Sequence, residues 1–218
     1  MTGNIQHPWL SLRLETERLI LRPVQTGDTA AVFAMGSDPE VTRYGSELPW
    51  TDTAQADARI VRSIHAVTCG EYLPLVMERR EDGAVIGECG LYQWSLQNRR
   101  AELGYRMNSA FWGKAYMREA LTALLDWAFS REGLHRIEAD TDPGNVRSIH
   151  LLNMLGFTQE GLLRERWIVG DQIFDTAMFG LLARDWTETR RNHASAKSLP
   201  GKTGETDRSA EHRTGGGQ

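Results

Sequence analysis

The spacing of apolar residues after position 111 gives the clearest local prediction in the chain. Apolar residues recur at steps of three and four, the repeat of one buried helix face, at Met117, Ala120, Leu121, Leu124, Leu125 and Ala128. Just before them, RRAELGYRM alternates, with Ala101, Leu103, Tyr105 and Met107 on one side and Glu102, Gly104 and Arg106 on the other. The pattern predicts a strand that leads through NSAFW into a helix.

Shorter patterns predict that strands and helices alternate along the rest of the chain. LILRP and HRIEADT are typical of strands, and the Asp82-Gly83 pair predicts a hairpin turn. TDTAQADARIVRSIHAV predicts a helix from the spacing of Ala54, Ala58, Val61, Ile64 and His65. Asn145 is placed to cap another helix, which Gly156 ends. Interleaved strands and helices predict an α/β or α+β fold.

The length and the ends of these patterns predict one domain. We expect an N-terminal extension at 1–11, a domain at 12–190 and a disordered tail at 191–218, because aromatic residues and periodicity are lost from about Arg191 onward. Segment 37–52 is rich in turn residues and is expected to be irregular. A GKT triplet at 201–203 lacks the first glycine of a P-loop, since Ala196 stands there.

Composition and charge exclude several classes of protein. The chain has 218 residues and a formal net charge of −4, without a long basic block, so we expect no DNA partner. No signal-peptide pattern and no apolar run near 18 residues are found, which favours a cytoplasmic protein without a membrane partner. Two cysteines, Cys69 and Cys89, are too few for a disulfide framework, and no metal is predicted.

The residues before the predicted helix are small where a capping side chain is usual. Helix N-terminal amides carry partial positive charge and bind phosphate when side chains leave them accessible. Gly113 and Ala115 would give that access, and Lys114 adds a cation. The pattern indicates a pyrophosphate site, or alternatively a tight turn in which Gly113 serves backbone geometry only.

Longer stretches carry a family resemblance. GYRMNSAFWGKAYMREAL, then GLHRIEADTDPGNVRSIHLLNMLGF and EGLLRE, resembles the GCN5-related N-acetyltransferases over about residues 12–185. ETERLILRP is similar to the opening strand of the RimJ/RimL-type branch, which acetylates N-terminal amines of ribosomal proteins. The resemblance implies a single domain with a splayed, mostly antiparallel mixed sheet, helices on both faces, and acetyl-CoA as donor.

The resemblance also implies roles for particular residues. The pyrophosphate would be held by the amides of Trp112, Gly113, Lys114, Ala115, Tyr116 and Met117. The pantetheine arm would pair with the strand backbone at Tyr105, Arg106 and Met107. Asn145 and Ser148 match positions that face the pantetheine and the sulfur. Asn145 is equally explained as a helix cap, and Ser148 as a residue that supports that cap.

Three positions depart from the family pattern. Ala115 replaces a common glycine, and Ala110 replaces a common Gln or Arg. Leu152 stands where many members carry a tyrosine that acts as an acid, so that acid is absent from this helix.

Acetyl transfer needs a neutral amine, a donor to the developing oxyanion and a proton for the departing thiolate. We expect Glu102 to be the base, with Glu88 as second choice; Glu102 is also explained as a solvated strand residue paired with Arg100 or Arg106. Ser148 is the expected thiolate donor, and a free strand amide near Met107 would serve the oxyanion.

Acceptor binding is expected from an irregular segment and aromatic residues. The 41–52 loop is the expected determinant of acceptor choice. Trp50, Glu88 and Trp94 are the predicted substrate-binding residues, with Trp167 as a further candidate wall. His135, His150 and Glu160 are expected to be structural.

These features predict an acetyl-CoA-dependent N-acetyltransferase that acts on a primary amine, most simply a protein N-terminal α-amine, as a monomer or homodimer. Two alternatives stay open: an enzyme for a small amine such as an antibiotic, polyamine or amino acid, and a non-catalytic acyl-CoA-binding module.

Overall fold

The computed structural model describes residues 7–198, with side chains through residue 191. Within this part, the strands are β1 (Leu14–Glu15), β2 (Leu19–Pro23), β3 (Leu73–Arg79), β4 (Val85–Ser95), β5 (Arg100–Met107), β6 (Arg136–Thr141), β7 (Thr158–Val169) and β8 (Gln172–Leu182). The helices are α1 (Thr29–Ser37), α2 (Pro39–Thr42), α3 (Thr53–Cys69), α4 (Tyr116–Ser130), α5 (Val146–Met154) and α6 (Ala183–Ser198).

The strands form one mixed sheet in the order β1-β2-β3-β4-β5-β6-β8-β7. All neighbouring pairs are antiparallel except β5 and β6, which run parallel. The expected α+β fold with a mostly antiparallel mixed sheet is therefore confirmed.

The sheet opens between its two central strands. β5 pairs with β4 over its whole length, up to Met107 opposite Gly87. It pairs with β6 only from Arg100 to Glu102, and within residues 7–198 no strand neighbours it on that side afterwards. Because peptide groups in a strand point alternately to either side, some β5 amides beyond Glu102 face this opening.

The helices lie on both faces of the sheet, as expected. Adjacent strand residues point to opposite faces. Leu75 and Met77 of β3 join the large core that contains the apolar stripe of α4, whereas Val76 joins a second cluster with α1 and α3. All six residues of the predicted α4 stripe are buried.

The buried side of α3 differs from the residues whose spacing predicts that helix. The helix buries Ala56, Ile60, Ser63, Ala66 and Val67, whereas Val61 is 63% exposed. The polar Ser63 lies among these buried residues, so the apolar spacing in the sequence indicates the side of the helix that is mostly exposed. The buried side of α3 also carries Arg59, which becomes important below.

The chain ends follow the predicted boundaries only loosely. Trp9, within the predicted extension, is buried in the core beside Trp94. α6 continues the backbone to Ser198, past the boundary at 190, because the polar sequence after Leu182 stays helical. Residues 191–198 are therefore not irregular, and 199–218, including GKT, lie outside the described residues. Segment 37–52 contains one helical turn, α2.

Candidate active site

A cavity of about 1200 Å³ lies beside the opening between β5 and β6. Its walls come from the 40–47 loop, β4, the end of β5, the start of α4, and α5. Among the predicted site residues, the lining includes Trp50, Glu88, Tyr105, Arg106, Met107, Trp112, Gly113, Ala115, Met117, Asn145 and Ser148. The lining does not include Glu102, Lys114, Tyr116 or Trp94.

One end of the cavity is formed by residues 112–117, hereafter the phosphate loop. Gly113 has φ of 76°, and a Cβ placed there would meet no atom within 4 Å. Ala115 is the N-cap of α4, with φ of 60° and no side-chain capping bond. The first hydrogen bond of the helix runs from the Glu119 amide to the Ala115 carbonyl oxygen. The amides before Glu119 are therefore not used by the helix's own hydrogen bonds, and they lie beside the cavity. An uncapped helix start with open space in front fits the diphosphate of coenzyme A.

Two residues of the phosphate loop turn their side chains away from the cavity. Lys114 Nζ donates to the carbonyl oxygen of Ala110 at 3.3 Å, and the Tyr116 ring is buried under the Arg18 guanidinium. The cations at this end of the lining are instead Arg118 and Arg147, which sequence reasoning did not select. For Lys114 and Tyr116, the backbone amides remain candidates for phosphate contact, but the side chains do not.

Two hydroxyl groups meet across the cavity between β5 and α5. Tyr105 Oη and Ser148 Oγ lie 2.7 Å apart, and burial raises the pKa of Tyr105 to about 12. Asn145 Oδ1 accepts the Ser148 amide at 3.1 Å, so it caps α5. Leu152 is buried in the core, but a tyrosine hydroxyl reaches Ser148 from β5 instead.

Glu102 lies on the same β5 face as Gly104 and Arg106 and is paired with Tyr92, a lining residue. Burial, followed by the charge of Asp140, raises the pKa of Glu102 above its ordinary value. A raised pKa makes a carboxylate a stronger base. Glu102 itself does not line the cavity, and the nearest lining residue of β5, Gly104, is two residues further along the strand.

The other end of the cavity is a partly buried group of side chains, hereafter the acceptor chamber: Trp50, Arg59, Glu88, Tyr92 and Arg106. Arg106 Nε donates to Glu88 Oε2 at 2.5 Å, and Arg59 Nε lies 3.8 Å from the same oxygen. The Arg106 guanidinium lies 4.9 Å from the centre of a Trp50 ring. One carboxylate therefore lies between two guanidinium groups.

Backbone packing fixes the position of Trp50 in the chamber. Its amide donates to the Gly36 carbonyl at 2.9 Å, and its Nε1 donates to Glu47 Oε2 at 3.0 Å. A Cβ on Gly36 would lie 2.1 Å from the Trp50 ring. The glycine in α1 thus makes room for the indole.

Arg59 and Tyr92 are lining residues that sequence reasoning missed. Burial raises the pKa of Tyr92 to about 12, and its ring lies 5.3 Å from that of Tyr72. Arg59 was hidden because the sequence pattern placed the wrong side of α3 in the core. Because Arg59 directly precedes Ile60, it can be placed near the sheet once Ala56 and Ile60 are recognised as the buried side of α3.

Several other candidates lie elsewhere. Trp94 packs against Trp9, with ring centres 4.8 Å apart, and Trp167 Nε1 donates to Asp140 Oδ2 at 3.0 Å. Glu160 forms an ion pair with Arg136, whereas His150 lines the cavity. Among described residues, one donor atom each from His65, Cys69 and Glu71 lies within 4.8 Å of the others, on the exposed surface outside the cavity.

A split central sheet and an uncapped helix start at its opening define an acyl-CoA-dependent acyltransferase. The acetyltransferase (GNAT) domain model matches residues 18–158, so the chain belongs to the GNAT acetyltransferase family.

Named relatives and a solved structure agree with this family assignment. The uncharacterized N-acetyltransferase p20 of Bacillus licheniformis is 39% identical over 79% of this chain and 97% of its own length. The [ribosomal protein uS5]-alanine N-acetyltransferase of Escherichia coli is 38% identical over 40% of this chain and 45% of its own. The spermidine N-acetyltransferase of Vibrio cholerae, solved with CoA and spermine, has a TM-score of 0.70 at 22% identity, covering 79% and 99% of the two chains.

The chain is therefore an acetyl-CoA-dependent N-acetyltransferase that acts on an amine. In the part of the chain that the structure describes, no helix combines the length and apolar character needed to cross a membrane.

Proposed function

We propose that the acceptor is the α-amine of a protein N-terminus. The observation that carries this proposal is the state of Glu88, the carboxylate of the acceptor chamber, which already faces Arg59 and Arg106. A polyamine needs carboxylates free to face its several ammonium groups, and guanidinium groups beside them would repel it. An N-terminal peptide carries one amine and a row of carbonyl acceptors, which arginines can bind.

The ionisation of the amine also favours this acceptor. An α-amino group has a pKa of about 7.7–8.0, whereas a lysine amine has about 10.4, so the α-amine is neutral far more often near neutral pH. The uS5-alanine relative acts on a ribosomal protein, and the spermidine enzyme shares the fold only. A small amine remains the second candidate because that fold serves a polyamine enzyme.

The residues proposed for the chemistry act at three places. The phosphate loop and the free edge of β5 at Tyr105, Arg106 and Met107 hold acetyl-CoA, whose thioester supplies the acetyl group. Glu102, which lies just outside the cavity lining, accepts the amine proton through water as the C–N bond forms. Ser148, with the Tyr105 hydroxyl behind it, donates a hydrogen bond to the sulfur as the C–S bond breaks, and a β5 amide near Met107 stabilises the oxyanion.

Mass spectrometry with acetyl-CoA tests the acceptor class. The panel contains peptides that start with Ser, Ala or Thr, the same peptides with blocked N-termini, spermidine and an aminoglycoside. We expect acetylation of the free peptides only. Preferential acetylation of spermidine or the aminoglycoside would overturn the proposal, and CoA binding without any product would favour a non-catalytic module.

Exchange of the catalytic candidates tests the assignment of roles. Glu102→Gln and Ser148→Ala are each expected to lower kcat by about 100-fold or more while CoA affinity stays within a few-fold of wild type. A Glu102→Gln enzyme with unchanged kcat across the pH range would remove Glu102 as the base.

A further inference from the structure

The acceptor chamber holds more positive than negative charge in its inner part. Arg59 and Arg106 face one carboxylate there, that of Glu88, and the two arginine side chains are only 28% and 20% exposed. The nearby Glu47 carboxylate is engaged by Trp50 Nε1. Because a guanidinium keeps its proton under all ordinary conditions, this positive charge persists whenever the enzyme works.

Two guanidinium nitrogen atoms in the chamber have no acceptor among the described residues. These are Arg59 Nε and Arg106 Nη2, and both are essentially inaccessible. Buried donors almost always have partners, so such a donor requires an explanation. These two atoms are closed off from solvent, but both residues line the cavity, so an anionic acceptor group entering it would meet the accessible part of each guanidinium group.

We propose that the acceptor presents a carboxylate close to the amine that is acetylated, and that Arg59 with Arg106 selects for it. A carboxylate matches the planar donor fork of a guanidinium, with two parallel hydrogen bonds. Arg59 is the main determinant because its ion-pair partner Glu88 lies 3.8 Å away, whereas Arg106 is hydrogen-bonded to Glu88 at 2.5 Å.

This inference rests on the proposed function and deepens it. On a protein N-terminus, the carboxylate belongs to an acidic side chain close to the first residue. A free amino acid offers the same chemistry through its own carboxylate. The two sources differ in size and in the presence of peptide carbonyls, so one experiment separates them.

Matched acceptors provide the first test. We compare kcat/KM for peptides that begin Ser-Asp and Ser-Asn, and for peptides that begin Ser-Glu and Ser-Gln, with identical residues afterwards. Free aspartate and glutamate are assayed beside them. Since the amide peptides keep one acceptor oxygen but lose the negative charge and the second oxygen of the carboxylate, we expect the acidic peptides to react about 10- to 100-fold faster in kcat/KM.

Matched variants provide the second test. Arg59→Gln is expected to bring the ratio of acidic to amide peptide close to 1, chiefly by raising KM for the acidic peptide. Arg59→Lys keeps the charge without the fork and should give an intermediate ratio. Arg62→Gln, on the exposed side of the same helix, is the control and should keep the wild-type ratio. Thermal melts confirm that each variant is folded.

The outcomes separate the inference from the proposed function. Equal rates for acidic and amide peptides would overturn carboxylate selection and leave N-terminal acetylation intact. Rapid acetylation of free aspartate or glutamate without any peptide activity would keep carboxylate selection and overturn the protein acceptor. An Arg59→Gln enzyme that retains the wild-type preference would remove Arg59 as its determinant, even if the preference itself is real.

Discussion

The two ends of the cavity are built in different ways. At the phosphate loop, backbone amides lie beside the cavity, and small residues such as Gly113 and Ala115 leave them accessible. At the acceptor chamber, charged side chains from α3, β4 and β5 meet under a tryptophan from a loop. The first end depends on local backbone conformation, and the second depends on how distant elements pack together.

The chemistry of the two substrates explains this difference between the two ends. All reactions of a CoA-dependent enzyme present the same diphosphate, and main-chain amides suit it whatever the side chains are. The acceptors named for relatives of this chain differ, and a chamber formed by side chains is one that substitution can adapt to a new acceptor. Variants at one end of the cavity should therefore alter the binding of one substrate and leave the binding of the other nearly unchanged.

The largest expected effect is at the phosphate loop, with Gly113→Glu. Like charges near a protein surface at 4 Å repel by about 4 kcal/mol, so the new carboxylate should weaken CoA binding by more than about 100-fold. The left-handed backbone at this glycine adds strain. Isothermal titration calorimetry measures the affinity.

Gly133→Glu is the matched control. Gly133 also has positive φ and open space around its Cα, but it follows the far end of α4. It should carry a similar strain without loss of CoA affinity. Equal affinity in both variants would mean that the phosphate loop does not hold the diphosphate.

The next effect tests the other end, through Gly36→Ala. Alanine is normally favoured over glycine in a helix by about 1 kcal/mol. Here its Cβ would overlap the Trp50 ring, so the protein should instead lose about 1–3 kcal/mol of stability, and the displaced indole should raise KM for the amine. CoA affinity should remain unchanged, and chemical denaturation gives the free energy of unfolding.

Gly27→Ala controls for the substitution itself, because a Cβ at Gly27 would meet no atom within 4 Å. This variant should keep the wild-type KM for the amine. If Gly36→Ala weakens CoA binding as strongly as amine binding, the two ends are not independent.

The same division explains what the sequence predicts well. The alternation in β5 and the stripe of α4 are local patterns, and they correctly predict the strand and the helix that begins at Tyr116. The family resemblance implies a splayed mixed sheet, but no pattern within β5 indicates that it pairs with β6 in parallel over only three residues.

The sequence predicts Trp50 and Glu88 at the acceptor but not Arg59 or Tyr92, because the parts of the acceptor chamber are distant in sequence. Arg59 and Glu88 are 29 positions apart, and no local pattern indicates that they meet. Trp94 was expected at the acceptor but packs on Trp9, since a tryptophan's spacing does not reveal which of two apolar surfaces it covers. Tyr105 was chosen for its backbone, whereas its hydroxyl contact with Ser148 depends on the three-dimensional position of α5.

A smaller effect concerns Glu102, which lies on β5 outside the cavity lining. Its pKa is raised, first by burial, so the folded protein binds this proton more tightly than the unfolded chain does. The stabilising contribution is present at low pH and is lost as pH rises through the raised pKa. The melting temperature of Glu102→Gln minus that of wild type should therefore increase from about pH 4 to about pH 7.

Glu160→Gln should give the opposite slope. The hydrogen bond from Arg136 lowers the pKa of Glu160, so its stabilising contribution is present above the unfolded-state pKa and is lost as pH falls. The melting temperature of this variant relative to wild type should decrease over the same pH range. Parallel slopes for the two variants would show that Glu102 is not buried enough to perturb its proton.

The smallest expected effect returns to the phosphate loop, at Ala115. This residue holds φ of 60°, a conformation that costs an L-residue about 1–2 kcal/mol and that glycine adopts freely. Part of the gain is offset because glycine makes the unfolded chain more flexible, so Ala115→Gly should stabilise the protein by no more than about 1 kcal/mol. Ala58→Gly, on the exposed side of α3, should destabilise by about 1 kcal/mol instead. Opposite signs in denaturant unfolding would show that α4 starts from a strained backbone kept for the ligand's approach, whereas a loss of stability at Ala115 would show that the left-handed turn is not the conformation populated in solution.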